Sequence, residues 1–118
     1  MYYFYIIQAP NGRVGFGIAS APNDRIKKYT SHCGEIVEFP FLFGGMRCQA
    51  KSLEKIIKRE YVDNLWVIEN WKTEWLNLDI TLGEFHNYVK ELISERHIRV
   101  ELVATSFNFL SELPLTSD

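Results

Sequence analysis

The sequence has few of the features that define secreted, membrane-spanning or disulfide-rich proteins. It contains two cysteines, Cys33 and Cys48, in 118 residues. This is too few for a disulfide scaffold, and we expect both to be reduced thiols. No apolar run approaches the roughly 20 residues that cross a bilayer. The N-terminal segment Met1–Ile7 lacks the basic region and the length of a signal peptide. We therefore expect a cytoplasmic protein without a membrane partner.

Composition and charge narrow the possible classes further. The length predicts a single domain, and eight Phe, six Tyr and three Trp provide enough core material to exclude disorder over most of the chain. The net charge of −2 argues against a strong general affinity for nucleic acid. However, residues 1–59 hold nine basic and four acidic side chains, whereas residues 60–118 hold four basic and eleven acidic ones. The basic half favours an anionic partner, although a chance division of surface charge remains an alternative.

The N-terminal part has the pattern of a β-hairpin. Residues 2–8 are aromatic and β-branched, as is typical of a buried strand. The pair Asn11-Gly12 predicts a tight turn in which both residues have positive φ. Residues 13–20 then form the returning strand, in which Gly15 and Gly17 indicate close approach of a ligand or another backbone.

A helix and a third strand are predicted next. Ser20, Pro22 and Asp24 are typical of a helix start, and that helix runs to about residue 32. Residues 35–43 have the composition of a strand. Because Pro40 has no N–H to donate, we expect this strand to lie at a sheet edge.

The second half alternates helix and strand. Residues 48–63 predict a helix, Thr81 and Glu84 form a capping box that starts another, and residues 98–102 alternate as a last strand. The Trp-rich residues 65–78 give no clear assignment. The fold class is therefore α+β, with a short antiparallel sheet of the hairpin plus a third strand, flanked by helices. We expect one domain over 1–118, with a core over 1–76, a helix-strand extension over 77–112 and a tail over 113–118.

Several residues at informative spacings point to phosphate chemistry. Arg25 and Tyr29 are four residues apart, so they share one face of the first predicted helix. Gly17 precedes that helix, where free N–H groups favour an anion. Glu54 lies on the next helix, and a lone carboxylate of this kind suits a hard divalent cation completed by water and phosphate oxygens. A surface role for each residue taken alone is the ordinary alternative.

These residues resemble the pattern of the GIY-YIG nuclease superfamily, over residues 3–76. The chain reads Tyr3-Phe-Tyr5-Ile-Ile-Gln-Ala-Pro, then Gly15-Phe-Gly17, with Arg25 eight residues after Gly17 and Tyr29 four further on. It continues with Ala-Lys-Ser-Leu-Glu54 and later Thr-Glu-Trp-Leu. The combination is most similar to the branch common in phages. The resemblance implies a small stand-alone endonuclease, encoded by a phage or mobile element and acting in the host cytoplasm.

The resemblance also implies a role for each site residue. Glu54 would bind Mg²⁺ or Mn²⁺, which would polarise the scissile phosphate of DNA. Arg25 would hold that phosphate, and Tyr29 would position it or the water. Tyr5 would help to activate the attacking water. Tyr3 points to the same strand face as Tyr5 and is the alternative for that role.

The chain also departs from the family pattern. Gly15 stands where the second triplet normally has its tyrosine, and the first triplet has no glycine. A second hypothesis follows from this: an inactive GIY-YIG-like module that binds nucleic acid or a host protein, with the acidic half as a surface for a protein partner or for self-association. Zinc and base stacking are weaker alternatives, for which the candidates are His32, Cys33 and Cys48, and Trp66, Trp71 and Trp75.

Overall fold

A computed structural model describes most of the chain as a six-stranded antiparallel sheet with two helices. The described residues are 1–8, 12–22, 24, 38–67, 73–76 and 79–107, with the backbone alone for 38–40, 64–67, 73–74 and 104–107. The strands are β1 (Tyr2–Gln8), β2 (Val14–Ala19), β3 (Glu38–Gly45), β4 (Leu65–Val67), β5 (Thr73–Leu76) and β6 (Val100–Phe107). The helices are α1 (Arg47–Glu60) and α2 (Leu82–Glu95). The strand order is β4-β5-β2-β1-β3-β6. The predicted α+β class is confirmed.

The N-terminal hairpin forms as predicted. Strands β1 and β2 pair antiparallel with Tyr5 opposite Gly17 and Gln8 opposite Val14. Gly12 has a φ of 88°, a left-handed conformation that glycine adopts without steric cost. The side-chain amide of Gln8 donates to the carbonyl oxygen of Gly12 at 3.3 Å. The other turn residue of the prediction, Asn11, lies outside the described residues.

Strand alternation gives the sheet two different faces. Phe4, Ile6 and Phe16 lie on one face together with Phe43, and all four side chains are buried. Both helices pack here, so we call this the helix face. The neighbouring residues in each strand point the other way. They include Tyr3, Tyr5, Ile7 and Leu42, and we call their side the tyrosine face.

The two helices complete a core on the helix face. Helix α1 buries Ala50, Leu53 and Ile57, the spacing of a single apolar stripe. Helix α2 buries Phe85, Val89 and Leu92 in the same cluster. Its predicted capping box is present. The Thr81 hydroxyl accepts from the Glu84 N–H, and the Glu84 carboxylate accepts from the Thr81 N–H, both at 3.1 Å.

The expectation that the third strand lies at an edge is wrong. Strand β3 pairs with β1 on one side and with β6 on the other, so it is an interior strand. Its register against β1 shifts between Ile6 and Gln8, which oppose Phe41 and Glu38. One extra β3 residue is accommodated in that interval, which includes Pro40. An irregularity of this kind is one of the few interior positions where a proline is tolerated.

The sheet extends beyond the three strands predicted for it. The Trp-rich segment contributes β4 and β5, and β5 pairs with β2. The last strand begins at Val100 and continues to Phe107, further than predicted, and it pairs with β3. In the predicted first helix, Pro22 and Asp24 are helical, whereas residue 23 and residues 25–32 lie outside the described residues. No helix of the described part is long and apolar enough to span a membrane.

Candidate nucleic-acid interface

Three of the five predicted site residues are described, namely Tyr3, Tyr5 and Glu54. Arg25 and Tyr29 lie outside the described residues, so their positions stay predictions. Tyr5 lies opposite Gly17 on one side and Leu42 on the other, and it is completely buried. A buried hydroxyl in the sheet interior cannot touch a substrate phosphate without a rearrangement of its surroundings. Tyr3, one pleat earlier, is half-buried.

Glu54 lies on the other side of the sheet. It belongs to α1, whose Leu53 and Ile57 join the cluster on the helix face. The Glu54 side chain is 15% exposed, and one of its carboxylate oxygens lies 3.7 Å from the Lys58 Nζ. Helix α1, which carries Glu54, therefore packs on the helix face, whereas Tyr3 and Tyr5 point to the opposite, tyrosine face. A pocket shared by Tyr5 and Glu54 is not formed by the described side chains.

The solvent side of α1 is strongly basic. At 100° per residue, its five basic side chains fall within an arc of about 120° on the side away from the core. Four of them are exposed and Lys58 is partly exposed. The stripe extends about 18 Å at 1.5 Å per residue, a length that matches about five phosphates of one DNA strand. We call it the basic helix face, and its residues are Arg47, Lys51, Lys55, Lys58 and Arg59.

The two acidic residues of α1 do little to neutralise this face. Glu54 lies close enough to Lys58 to compensate the charge of that one side chain. Glu60 is turned toward α2, where its carboxylate accepts a hydrogen bond from the Tyr88 hydroxyl at 2.5 Å. Burial raises the pKa of Tyr88, and the hydrogen bond to Glu60 raises it further. The helix thus carries five basic and two acidic side chains, and its exposed side is positive.

Part of this surface was visible in the sequence. The excess of basic residues in the first half points to it, and Lys51 and Lys58 are at the right spacing to pair with Glu54. In the structure Glu54 forms an ion pair with Lys58. The signal that identifies the whole face is the i, i+4 repeat of Arg47, Lys51, Lys55 and Arg59, which aligns the charges once the apolar stripe fixes the buried side.

Among the residues named for zinc binding and base stacking, Cys48 and Trp75 are the ones whose side chains are described. The described part of the chain contains no group of three or more His, Cys, Asp or Glu side chains that could hold a metal ion. Cys48 is exposed, while His32 and Cys33 lie outside the described residues. Trp75 is 3% exposed, so it serves the core and does not offer a surface for base stacking.

Comparison of the chain with known proteins adds no relative. No protein-family model, no curated protein and no solved structure matches it. The resemblance to the GIY-YIG superfamily therefore rests on the quoted residues and their spacing.

Proposed function

We propose that this protein binds DNA through the basic helix face of α1. The single observation that carries the proposal is the alignment of Arg47, Lys51, Lys55 and Arg59 on one exposed side of a helix. Phosphate contacts from Lys and Arg supply most of the affinity of sequence-independent DNA binding. A net charge of −2 does not oppose this, because the acidic excess belongs to residues 60–118.

A binding module of GIY-YIG-like layout is the form of this function that the geometry supports best. The tyrosine of the second family triplet is replaced by Gly15, so its hydroxyl is missing. The hydroxyl of Tyr5, the candidate for activating water, is fully buried. Both departures remove groups that the resemblance assigns to hydrolysis, whereas neither affects the basic helix face. Protein binding or self-association through the acidic half stays a separate prediction.

A metal-dependent endonuclease is the second candidate, and Glu54 is the observation that favours it. Its side chain is mostly buried at the border of the basic helix face, on the helix that would contact the DNA backbone. Mg²⁺ is commonly bound by one or two carboxylates together with waters and substrate phosphates. One carboxylate beside a lysine 3.7 Å away is an incomplete donor set. We therefore derive no hydrolytic step from it, and Arg25, Tyr29 and the metal remain part of the prediction.

The binding proposal is tested by fluorescence anisotropy with a labelled DNA duplex over a series of salt concentrations. Lys51→Gln and Lys55→Gln together remove two charges from the exposed face without touching the core. We expect weaker binding at low salt and a slope of log K against log salt that is smaller by about 0.9 for each lost phosphate contact. Lys90→Gln, on the exposed side of α2, is the matched control and should bind as the wild type does.

Two results would reject DNA binding through this helix. One is a wild-type protein whose affinity does not depend on salt, since phosphate contacts release counterions. The other is an equal loss per removed charge in the Lys51/Lys55 double variant and in the Lys90 control, which would indicate a general effect of net charge.

The nuclease candidate is tested by nicking of supercoiled plasmid with Mg²⁺ or Mn²⁺, by wild type and by Glu54→Gln. Cleavage by the wild type that is lost in Glu54→Gln and on chelation would establish hydrolysis and contradict the inactive module. DNA binding by the wild type without cleavage would support the function of an inactive, DNA-binding module. Equal cleavage by both proteins would indicate a contaminating nuclease and remove Glu54 from the site.

A further inference from the structure

A groove of about 930 Å³ opens at one end of the sheet. It lies where β1 begins and β3 ends, between the start of α1 and the segment that leads into β6. Tyr2, Arg47 and Arg99 are among the residues that line it. These three come from distant parts of the sequence, so no local motif indicates the groove. A cavity of this size accommodates a ligand of a few hundred daltons.

Two adjacent glycines form one wall of the groove. A Cβ on Gly45 would lie 2.6 Å from the carbonyl oxygen of Arg99, a distance that requires the backbone to move. A Cβ on Gly44 would meet the Met1 Sδ at 3.0 Å and Val103 Cγ1 at 3.3 Å. A side chain on Gly45 would therefore displace the segment that leads into β6. Gly44 lies opposite Tyr3, so a side chain there would point to the tyrosine face and not to the side on which Tyr2 lies. Gly45 thus lets this segment approach β3 closely on the side of the sheet where Tyr2 lies.

The polar lining is mainly cationic. The guanidinium of Arg47 lies over the Tyr2 ring, with its Cζ 5.4 Å from the centroid. Arg99 is exposed, and its backbone N–H donates to the Gln49 Oε1 at 2.8 Å, which ties its segment to α1. Glu101 is the acidic residue of the lining. Two guanidiniums against one carboxylate favour an anionic ligand, and guanidinium is well suited to phosphate.

The apolar lining suits a flat group. The half-buried Tyr2 ring stands opposite Gly45 in the strand pairing, so no side chain of that partner covers it. Met46 is 70% exposed at the rim of the groove. Methionine adapts its shape to a ligand and makes favourable contacts with aromatic rings. An aromatic ring, an adaptable thioether and two guanidiniums together match a base linked to a phosphate.

We propose that this groove binds a single nucleotide, with its phosphate on Arg47 and Arg99 and its base against Tyr2 and Met46. The choice of a nucleotide over other anionic aromatic ligands rests on the proposed DNA-binding function. Arg47 also belongs to the basic helix face, so the groove continues that face. The terminal nucleotide of a DNA strand and a free mononucleotide both offer a base linked to a phosphate, so the groove could take either one.

The test measures binding of adenosine monophosphate, adenosine and inorganic phosphate to the whole protein by isothermal titration calorimetry. We expect the monophosphate to bind at least tenfold more tightly than either fragment, because only it engages both parts of the groove. Arg99→Gln changes an exposed side chain outside α1 and should weaken monophosphate binding about tenfold, the effect of losing a charge-assisted hydrogen bond. Lys90→Gln, on the exposed side of α2 and outside both the groove and the basic helix face, is the matched control and should leave it unchanged.

A second arm identifies the source of the nucleotide. If a 5′-phosphorylated single-stranded oligonucleotide displaces the monophosphate and loses affinity in Arg99→Gln, the groove binds the terminal nucleotide of a DNA strand. An oligonucleotide that binds without displacing the monophosphate assigns the groove to free nucleotides. Either result supports the proposal.

Three results would overturn the nucleotide site. They are no binding of the monophosphate, equal binding of inorganic phosphate, and unchanged affinity in Arg99→Gln. Duplex binding that is lost in the Lys51/Lys55 variant and kept in Arg99→Gln, with no monophosphate binding, would reject the groove and leave the proposed function intact. Loss of duplex binding by every protein tested would reject the function, whereas the calorimetry with the monophosphate would still decide on the groove.

Discussion

Replacing Phe85 with alanine tests whether the C-terminal helix belongs to the same core as the N-terminal strands. Phe85 is completely buried in α2. Its ring centroid lies 5.7 Å from that of Phe16 in β2, 6.2 Å from that of Tyr61 and 6.0 Å from that of Tyr88. The side chain thus joins the sheet to both helices. Its removal leaves a cavity at the centre of the domain.

The free energy of unfolding that Phe85→Ala is expected to remove is large compared with the total for a domain of this size. A buried Phe→Ala change costs about 3–5 kcal/mol, while small domains unfold with about 5–15 kcal/mol in total. At a urea dependence of about 1.5 kcal/mol per molar, a loss of 4 kcal/mol lowers the midpoint by roughly 2.5 M. Lys90→Ala, on the exposed side of the same helix, should shift the midpoint little.

Urea unfolding followed by tryptophan fluorescence and by circular dichroism provides the assay. The buried Trp75 in β5 reports on the sheet, and the far-ultraviolet signal reports on the helices. We expect one transition, at the same midpoint by both probes, which moves as a whole in Phe85→Ala. An unchanged fluorescence transition alongside an early loss of helical signal would refute the reasoning. That result would show that residues 77–112 fold as a separate extension, as the division into core and extension allows.

Three further predictions concern local interactions. Thr81→Ala removes the cap of α2 and should lower the free energy of unfolding by about 1 kcal/mol in the urea assay, whereas Thr81→Ser should retain most of it. Burial and the hydrogen bond to Glu60 raise the pKa of Tyr88. The contribution of the protonated Tyr88 hydroxyl to stability is therefore present below about pH 10 and lost as the pH rises through the folded pKa. Absorbance at 295 nm should show a late-titrating tyrosine that Tyr88→Phe removes, and titration of every tyrosine near pH 10 would contradict this. Burial lowers the pKa of His86, and the nearby charge of Lys90 lowers it further. The contribution of neutral His86 to stability is therefore present above about pH 6.5 and lost as the pH falls through the folded pKa. Lys90→Gln should raise the His86 pKa in an NMR titration.

The local elements could be predicted from the sequence because short-range chemistry determines them. The positive φ of Gly12 and the reciprocal hydrogen bonds of Thr81 and Glu84 depend on residues within four positions of each other. The apolar stripe of α1 follows in the same way from a 3.6-residue period. These features are encoded locally and do not depend on which strands are neighbours.

Strand neighbours depend on long-range pairing, which the sequence pattern did not reveal. Pro40 predicts an edge strand, yet an extra residue in β3 absorbs the proline and leaves both sides of the strand paired. The Trp-rich segment could not be assigned because β4 and β5 have three and four residues, too short for a clear alternation. Strand β6 pairs with β3, more than 50 residues earlier in the chain, and only the folded structure reveals this partner.

The sequence says less about the arrangement of the candidate site than about the fold, for a related reason. Sequence spacing places Tyr5 and Glu54 correctly on a strand and on a helix, but it does not say which sheet face each element presents. The strand phase turns Tyr5 away from the face that α1 covers. The basic helix face needed only the helical period to be recognised. The groove beside Arg47 needed three chain segments to come together.

The central claim is that the basic helix face of α1 contacts DNA, and NMR mapping with a labelled protein tests it most directly. Adding a short DNA duplex at low salt should shift the backbone amide signals between Arg47 and Arg59, and the shifts should diminish as salt is added. Amide shifts confined to α2 and β6, or no shifts at a protein concentration of about 0.1 mM and excess duplex, would contradict the account, since non-specific DNA binding has dissociation constants of about 10⁻⁴–10⁻⁶ M.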